Sequence, residues 1–325
     1  MFIMPEYNIK PWLENLLSVD DLDGDTLCSI MNYALDIRDK RCSIQLRDKT
    51  VVNLFFEPST RTITSFKAAM QKVGGHTIDV LDVKNTSMQK GESFEDTIRT
   101  YACYGDALVI RHPVAEAVKI ASEVSSVPVI NAGDGSNEHP TQALLDLFTV
   151  VERFPNRITL SQSGPKFIGE TDLTFTIVGD LKYGRVVHSL VKLLSRFEGA
   201  TFNFVSIDDY QLPKDFPVKG AVNINKVSDP LTEDILKGTD VLYMTRVQIE
   251  REESNSFVRW SGRGYHTLTK DLASHLPDYA CIMHPFPRIN EIDTEIDDDP
   301  RACYFDQIKN GVFVRAAILY YFLGC

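Results

Sequence analysis

The sequence predicts an α/β protein of two doubly wound domains, each a central parallel sheet flanked by helices. Three observations carry that expectation. Nine short β-rich runs alternate with helical patterns along the 325 residues. Most of the runs are continuously apolar, as strands covered by helices on both faces must be. A chain of 325 residues also exceeds what one hydrophobic core usually serves, so two domains are the default.

The first strand set is "TVVNLFF" at 50–56, "HTIDVLD" at 76–82, "DALVIR" at 106–111 and "VPVINA" at 127–132. Between them "RTITSFKAAMQKV" and "SFEDTIRTYACY" repeat apolar residues every three or four positions, the spacing of one helix face. "HPTQALLDLFTVVERF" at 139–154 reads as one long amphipathic helix, apolar at Ala143, Leu144, Leu147, Phe148, Val150 and Val151. It reads as a spine between the domains, and the polar, glycine-containing segment "SQSGPKFIGETD" at 161–172 follows before the second strand set opens. The second set is "TFTIVGD" at 174–180, "TFNFVSI" at 201–207, "AVNIN" at 221–225, "DVLYMT" at 240–245 and "DYACIMH" at 278–284, with "GRVVHSLVKLLSRF" as a helix within it. The acidic "EIDTEIDDDP" at 291–300 reads as a solvated loop, and the tail "NGVFVRAAILYYFLGC" as a strongly apolar helix. The expected division is a first domain at 1–150, a second at 151–300 and a C-terminal helix at 301–325 returning to the first.

Composition excludes several classes. No apolar run approaches the ~20 residues that span a bilayer, and "MFIMPEYNIKPW" lacks the basic-then-apolar order of a signal peptide. Cytoplasm is the expected compartment. The six cysteines stand singly without a CxxC pair, so they read as buried free thiols and not as a disulfide framework or a zinc site. A net charge of −11 argues against a nucleic-acid partner. It also means that an anionic ligand must be held by locally concentrated arginines working against the global field.

In open α/β sheets ligands bind at the carboxyl ends of strands, where helix N-termini present free N–H groups. The first strand is followed by "EPSTRT". Ser59 or Thr60 could simply cap the next helix. Capping explains one hydroxyl but not Arg61, whose planar fork suits two phosphate oxygens. The third strand ends in "RHP", with Arg111 and His112, and the fourth runs through "NAGDGSNE" to His139, which starts the spine helix ahead of Pro140. In the second set Arg185 opens a helix, "TRVQIER" brings Arg246, Gln248, Glu250 and Arg251, and "HPFPR" brings His284 and Arg288. A Glu250–Arg251 surface pair would be worth little. Together the arginines at strand ends describe a cleft for a small ligand with several negative charges. "VGDLKYGR" partly matches a dinucleotide turn, but its glycines do not fit and Asp208 and Asp209 lie too far on.

Seven motifs stand in order: "FFEPSTRT", "KGESFEDT", "RHP", "NAGDGSNEHPTQALLDLFT", "GDLKYGRVVHSL", "YMTRVQIER" and "HPFPR". Their combination resembles the catalytic chains of the aspartate carbamoyltransferase family over essentially the whole length. The resemblance implies an aspartate/ornithine carbamoyltransferase-like fold with a carbamoyl-phosphate-binding domain at 1–150 and an aspartate-binding domain at 151–300. It implies transfer of a carbamoyl group from carbamoyl phosphate to L-aspartate, the first committed step of pyrimidine synthesis, without a metal or organic cofactor. Ser59, Thr60, Arg61 and Thr62 would hold the phosphate with Arg111 alongside. Thr62, Arg111 and His139 would polarise the carbamoyl oxygen, and Gln142 with the backbone around Pro285 and Phe286 would meet the carbamoyl amino group. Arg185, Arg246 and Gln248 would hold the aspartate carboxylates, and Glu57 would pair with Arg185 and Arg251 across the cleft.

The family also implies a homotrimer in which "NTSMQKGE" enters a neighbour's site, so that Lys90 and a hydroxyl from Thr86 or Ser87 are donated in trans. The chain departs from the family pattern at that hydroxyl, at Glu138 where glutamine is common, at Phe286 where leucine is common, and in "EESNSFVRWSGRGYH". An ornithine or other amino-acid carbamoyltransferase is the nearest rival. Ornithine carries a cationic side chain and its enzymes typically show "HCLP", whereas this chain has "HPFP" and the guanidinium of Arg246 in "TRVQ". A non-catalytic scaffold is disfavoured because each charged motif residue is present. Regulatory chains or a dihydroorotase partner leave no mark in the sequence.

Overall fold

The computed structural model describes residues 13–41, 44–81, 90–160, 168–218, 223–228, 231–246 and 267–324. The first lobe runs α1 (Gly24–Asp39), β1 (Thr50–Phe55), α2 (Thr60–Lys72), β2 (His76–Val80), α3 (Phe94–Ala102), β3 (Ala107–His112), α4 (Ala117–Val124), β4 (Val129–Asp134) and α5 (Pro140–Arg153). The second runs β5 (Ile158–Leu160), β6 (Gly169–Thr171), β7 (Thr174–Val178), α6 (Arg185–Leu194), β8 (Phe197–Glu198), β9 (Thr201–Ser206), β10 (Asn223–Ser228), α7 (Glu233–Lys237), β11 (Val241–Met244), α8 (Lys270–Ala273) and β12 (Cys281–Met283). The chain closes with α9 (Tyr304–Leu323).

Each of the nine predicted strands appears, in two all-parallel sheets ordered β2-β1-β3-β4 and β10-β9-β7-β11-β12. In the first sheet the chain winds outward to β2 and then returns to the other side of β1 for β3. In the second it winds to β9 and β10 and then returns beside β7 for β11. The two switch points, β1/β3 and β7/β11, are where a doubly wound sheet opens a crevice at its carboxyl edge. "EPSTR" and Arg111 follow the first pair, and Arg185 and Arg246 the second, so topology alone gathers the predicted arginines.

Local chemistry sets the helix starts. Asp23 closes α1 by accepting from the Thr26 amide at 2.7 Å, and Pro140 opens α5. The sequence reading did not include α1 or α4. It also passed over the small sheet β5-β6-β8, whose strands are only two or three residues long.

The tail helix is longer than its apolar run suggested and is buried on most sides. It packs against α1, α2 and α5 of the first lobe, with Tyr320 edge-on to Tyr33 at 4.9 Å and Asn310 donating to Thr149 and Glu152. Among the described residues no helix is long and apolar enough to cross a membrane.

Two expectations need correction, and the glycine of the rejected dinucleotide match finds its reason. The acidic segment is not a solvated loop: Glu291, Ile292 and Ile296 are buried, Thr294–Ile296 is a short helical turn, and Asp297 pairs with Arg288. The acids are there to receive local donors. The glycine of "VGD" serves no dinucleotide turn. At Gly179, φ is +128°, and a Cβ would stand 2.2 Å from Thr245 Oγ1. The glycine therefore lets the end of β11 approach β7. The thiols are mixed: Cys281 and Cys303 are buried, while Cys103 is exposed.

Candidate active site

The two switch points face one cavity of about 410 Å³. Three helices, α2, α5 and α6, begin at its wall. The first residues of each lie there (Thr60 and Arg61, His139, Gly184 and Arg185), and none of the three has a side-chain cap. Of the helices that start elsewhere, α1, α3, α7 and α8 are closed by Asp23, Ser93, Thr232 and Thr269, while α4 and α9 also begin without a side-chain cap. An uncapped N-terminus leaves N–H groups and the positive end of the helix dipole for another acceptor. So the capping reading of Ser59 and Thr60 does not hold: Ser59 occupies the cap position without bonding the helix.

Five arginines line the cavity: Arg61, Arg111, Arg185, Arg246 and Arg315. Among the described lining residues Glu57 is the sole carboxylate. Within a chain of net charge −11 this is a concentrated cationic well. Desolvation at the wall and then the nearby Arg246 lower the pKa of Arg61 from its ordinary value. Burial, followed by Arg185, Arg111 and Arg315, holds His139 well below the ordinary imidazole range. Its ring is therefore neutral at neutral pH and can donate a hydrogen bond without adding charge.

Glu57 joins the lobes. Its carboxylate receives Arg111 Nη2 at 3.3 Å and Arg185 Nη1 at 3.1 Å, and the same Arg185 nitrogen donates to the Gly135 carbonyl at 2.9 Å. Gly133 makes this possible. Its φ is +111°, and a Cβ would lie 3.0 Å from the Arg185 guanidinium carbon. The glycine-rich "NAGDG" is thus a seat for an arginine from the other lobe. Beside it the buried Glu138 accepts from Ser18 Oγ at 2.6 Å, Ser189 Oγ at 3.1 Å and Lys192 Nζ at 2.7 Å. Ser189 in turn accepts from the His139 amide at 2.8 Å.

Ser59, Thr60, Arg61, Thr62, Glu57 and Arg111 come to the wall from the first switch point. His139 and Gln142 join them from α5, Arg185 and Arg246 from the second lobe, and Pro285 and Phe286 from the segment after β12. Phe286 adopts φ +52°, its amide donates to His284 Nδ1 at 2.9 Å, and its ring meets those of Tyr304 and Phe305. Lys90 is exposed and does not line this chain's own cavity. Thr86, Ser87, Gln248, Glu250 and Arg251 lie outside the described residues. Two candidates are engaged elsewhere. His112 packs between Phe56 and Phe94, and Arg288 is committed to Asp297 and Tyr304. Sequence reasoning missed Ser65, Gln307 and Arg315. Arg315 had a signal, a lone arginine inside an apolar helix, where charge is rarely buried without purpose.

A sequence profile described as the carbamoyl-P binding domain of aspartate/ornithine carbamoyltransferase matches residues 14–152. Its companion, the Asp/Orn binding domain, matches 171–322. The chain belongs to the aspartate/ornithine carbamoyltransferase family. Among family relatives, the aspartate carbamoyltransferase catalytic subunit of Chromobacterium violaceum is 42% identical over 311 residues, 94% of this chain and 96% of the relative. The multifunctional protein pyr-3 of Neurospora crassa is 45% identical over 277 residues, 84% of this chain but 14% of that protein. Aspartate transcarbamoylase of Trypanosoma cruzi in complex with carbamoyl aspartate and phosphate superimposes with a TM-score of 0.87 at 34% identity, covering 98% of this chain and 100% of the other. The carboxyl-edge cavity described above lies between the regions matched by the two family domains.

Proposed function

We propose that the chain is an aspartate carbamoyltransferase. It moves the carbamoyl group of carbamoyl phosphate to the α-amino group of L-aspartate, giving N-carbamoyl-L-aspartate and phosphate, the first committed step of de novo pyrimidine (UMP) biosynthesis. The observation that carries this reading is a single cavity lined by five arginines and by three uncapped helix N-termini. The reactants together bring a phosphate and two carboxylates. Relatives that bear this activity in name align over nearly the full chain.

The phosphate lies at the start of α2, against Ser59, Thr60, Arg61 and Thr62, with Arg111 alongside. Arg185 and Arg246, with Gln248, take the aspartate carboxylates. The amine attacks the carbamoyl carbon, and charge develops on the oxygen of a tetrahedral intermediate. Thr62, Arg111 and the neutral His139 are the donors aimed there, and donors of this kind typically contribute about 10²–10³ each in rate. The departing phosphate accepts the amine proton, so no separate base is required. Holding two anions side by side supplies the entropic share.

The protein works as a cytoplasmic homotrimer in which Lys90 and Thr86 or Ser87 complete a neighbour's site. The exposure of Lys90 away from its own cavity supports this. The test is a carbamoyl-transfer assay offering aspartate and ornithine in parallel. Turnover with aspartate and none with ornithine is the expected result, and activity with ornithine alone overturns the substrate assignment.

A further inference from the structure

Just behind the cavity wall, bonded to the lining residues Gln142 and Gln307, sits a carboxylate that the proposed chemistry does not use. Asp146 lies on α5 one turn beyond Gln142 and is fully buried. Its Oδ1 accepts from Gln142 Nε2 at 2.9 Å and from Gln307 Nε2 at 2.7 Å, while its Oδ2 accepts from the Tyr243 hydroxyl at 2.7 Å. Tyr243 belongs to β11 of the second lobe and Gln307 to α9, so one carboxylate ties three elements together.

An ionised carboxylate only accepts, so both glutamines must turn their NH2 groups towards it. Burial raises the pKa of Asp146 to about 6, which still leaves it ionised at neutral pH and above. With each NH2 committed, each side-chain carbonyl faces the other way. That of Gln307 accepts from the His284 amide at 3.0 Å and so anchors the backbone leading into Pro285 and Phe286. Gln142 lines the cavity, and its Oε1 is left as an acceptor there.

We infer that Asp146 is a positioning residue for acyl-group selectivity. It holds Gln142 with its carbonyl towards the transferred group and, through Gln307, steadies the backbone of the 284–287 segment, so that the cavity selects an acyl phosphate bearing NH2. This rests on the carbamoyl-transfer reading above. A carbamoyl nitrogen has two hydrogens for such acceptors. A methyl group in its place has none and leaves them desolvated and unpaired, the arrangement that rejects an analogue most strongly. A free Gln142 could rotate its amide and erase the distinction.

The test compares carbamoyl phosphate with acetyl phosphate, whose acetyl group would pass to aspartate with release of phosphate, as the ratio of the two kcat/KM values. In Asp146→Leu the preference for the carbamoyl donor should fall at least about 30-fold, with the loss concentrated in the carbamoyl reaction. Asp146→Asn keeps an oxygen for both glutamines while its NH2 meets a Tyr243 hydroxyl turned to accept, so its ratio should stay within about threefold of wild type. An unchanged ratio in Asp146→Leu, both donors slowing in proportion, overturns the inference, as does a ratio in Asp146→Asn that collapses equally. If Asp146→Leu does not fold, Gln307→Leu removes the His284 anchor and one of the three donors to Asp146 while leaving Gln142 bonded to that carboxylate, and should lower the ratio about fivefold. No change in that variant also overturns it. Wild-type enzyme that transfers neither group to aspartate would sink the functional reading instead.

Discussion

The mouth and the floor of the cavity are built from the same residue types and treat them oppositely. At the mouth, α2 starts without a cap, Thr60 and Arg61 are exposed, and the cations outnumber the one carboxylate. At the floor and just behind it, Asp146 takes three donors, Gln307 uses both ends of its amide, and the buried Arg315 donates to Ser65 at 2.7 Å. Among the described residues the mouth leaves its helix start and cations open to a ligand. Asp146 and Gln307 are satisfied without one, and at the floor only Arg315 keeps a buried Nε without a partner. Polar groups that await a ligand should therefore cost activity and little stability when removed. Groups that satisfy one another should show up in selectivity or in folding.

The largest effect belongs to the mouth. Arg61→Ala removes a charge from the α2 N-terminus and should lower kcat/KM for carbamoyl phosphate on the order of 10³, with thermal unfolding unchanged. Steady-state kinetics beside a melting curve checks both halves. Near-normal turnover would remove Arg61 from the phosphate site.

Glu57 sits between the two regimes, half-exposed yet bonded to arginines of both lobes. Glu57→Gln keeps the shape and drops the charge, so Arg185 loses its anchor and the KM for aspartate should rise about 10-fold, while that for carbamoyl phosphate moves far less. Equal changes in both constants would show that Glu57 serves the phosphate end and not the closure of the lobes.

The same contrast explains what could be read from the sequence. Strands were legible because burial on both faces leaves a continuous apolar run, as in β1 and β3. The mouth was legible because Ser59, Arg61, Arg111 and Arg185 stand at strand ends, where a merely structural arginine has little to do. The floor was not. Asp146 and Gln307 sit on helical patterns where a polar residue reads as one more surface position, and only the approach of α9 to α5 shows that they face each other. Arg288 and His112 failed in the other direction: strand ends made them candidates, and local partners on Asp297, Phe56 and Phe94 had already claimed them. Segment spacing locates a strand terminus, but long-range pairing decides which of its side chains are spoken for.

Glu138 offers the mildest and cleanest test of this division, because it is a floor-type residue next to a mouth-type one. It precedes His139 yet serves packing, binding Ser18 near the chain start and Lys192 on α6. The position carries a carboxylate, and Lys192 at 2.7 Å is the partner that makes the charge tolerable in a buried place. Glu138→Gln should leave kcat nearly untouched and cost about 1–2 kcal/mol of stability, because a single amide oxygen then replaces two carboxylate oxygens that accept from Ser18, Lys192, Ser189 and the Val19 amide, and the ion pair is lost. Lys192→Met alone should cost at least as much, since it strands the buried carboxylate. If the two residues matter chiefly to each other, the double variant should be more stable than the sum of the single losses predicts, by about 1 kcal/mol or more. Strict additivity would mean that Glu138 is held by Ser18 and Ser189 and that the ion pair is incidental. A kcat loss in Glu138→Gln matching its stability loss would instead place the residue with the mouth, acting on His139 through Ser189.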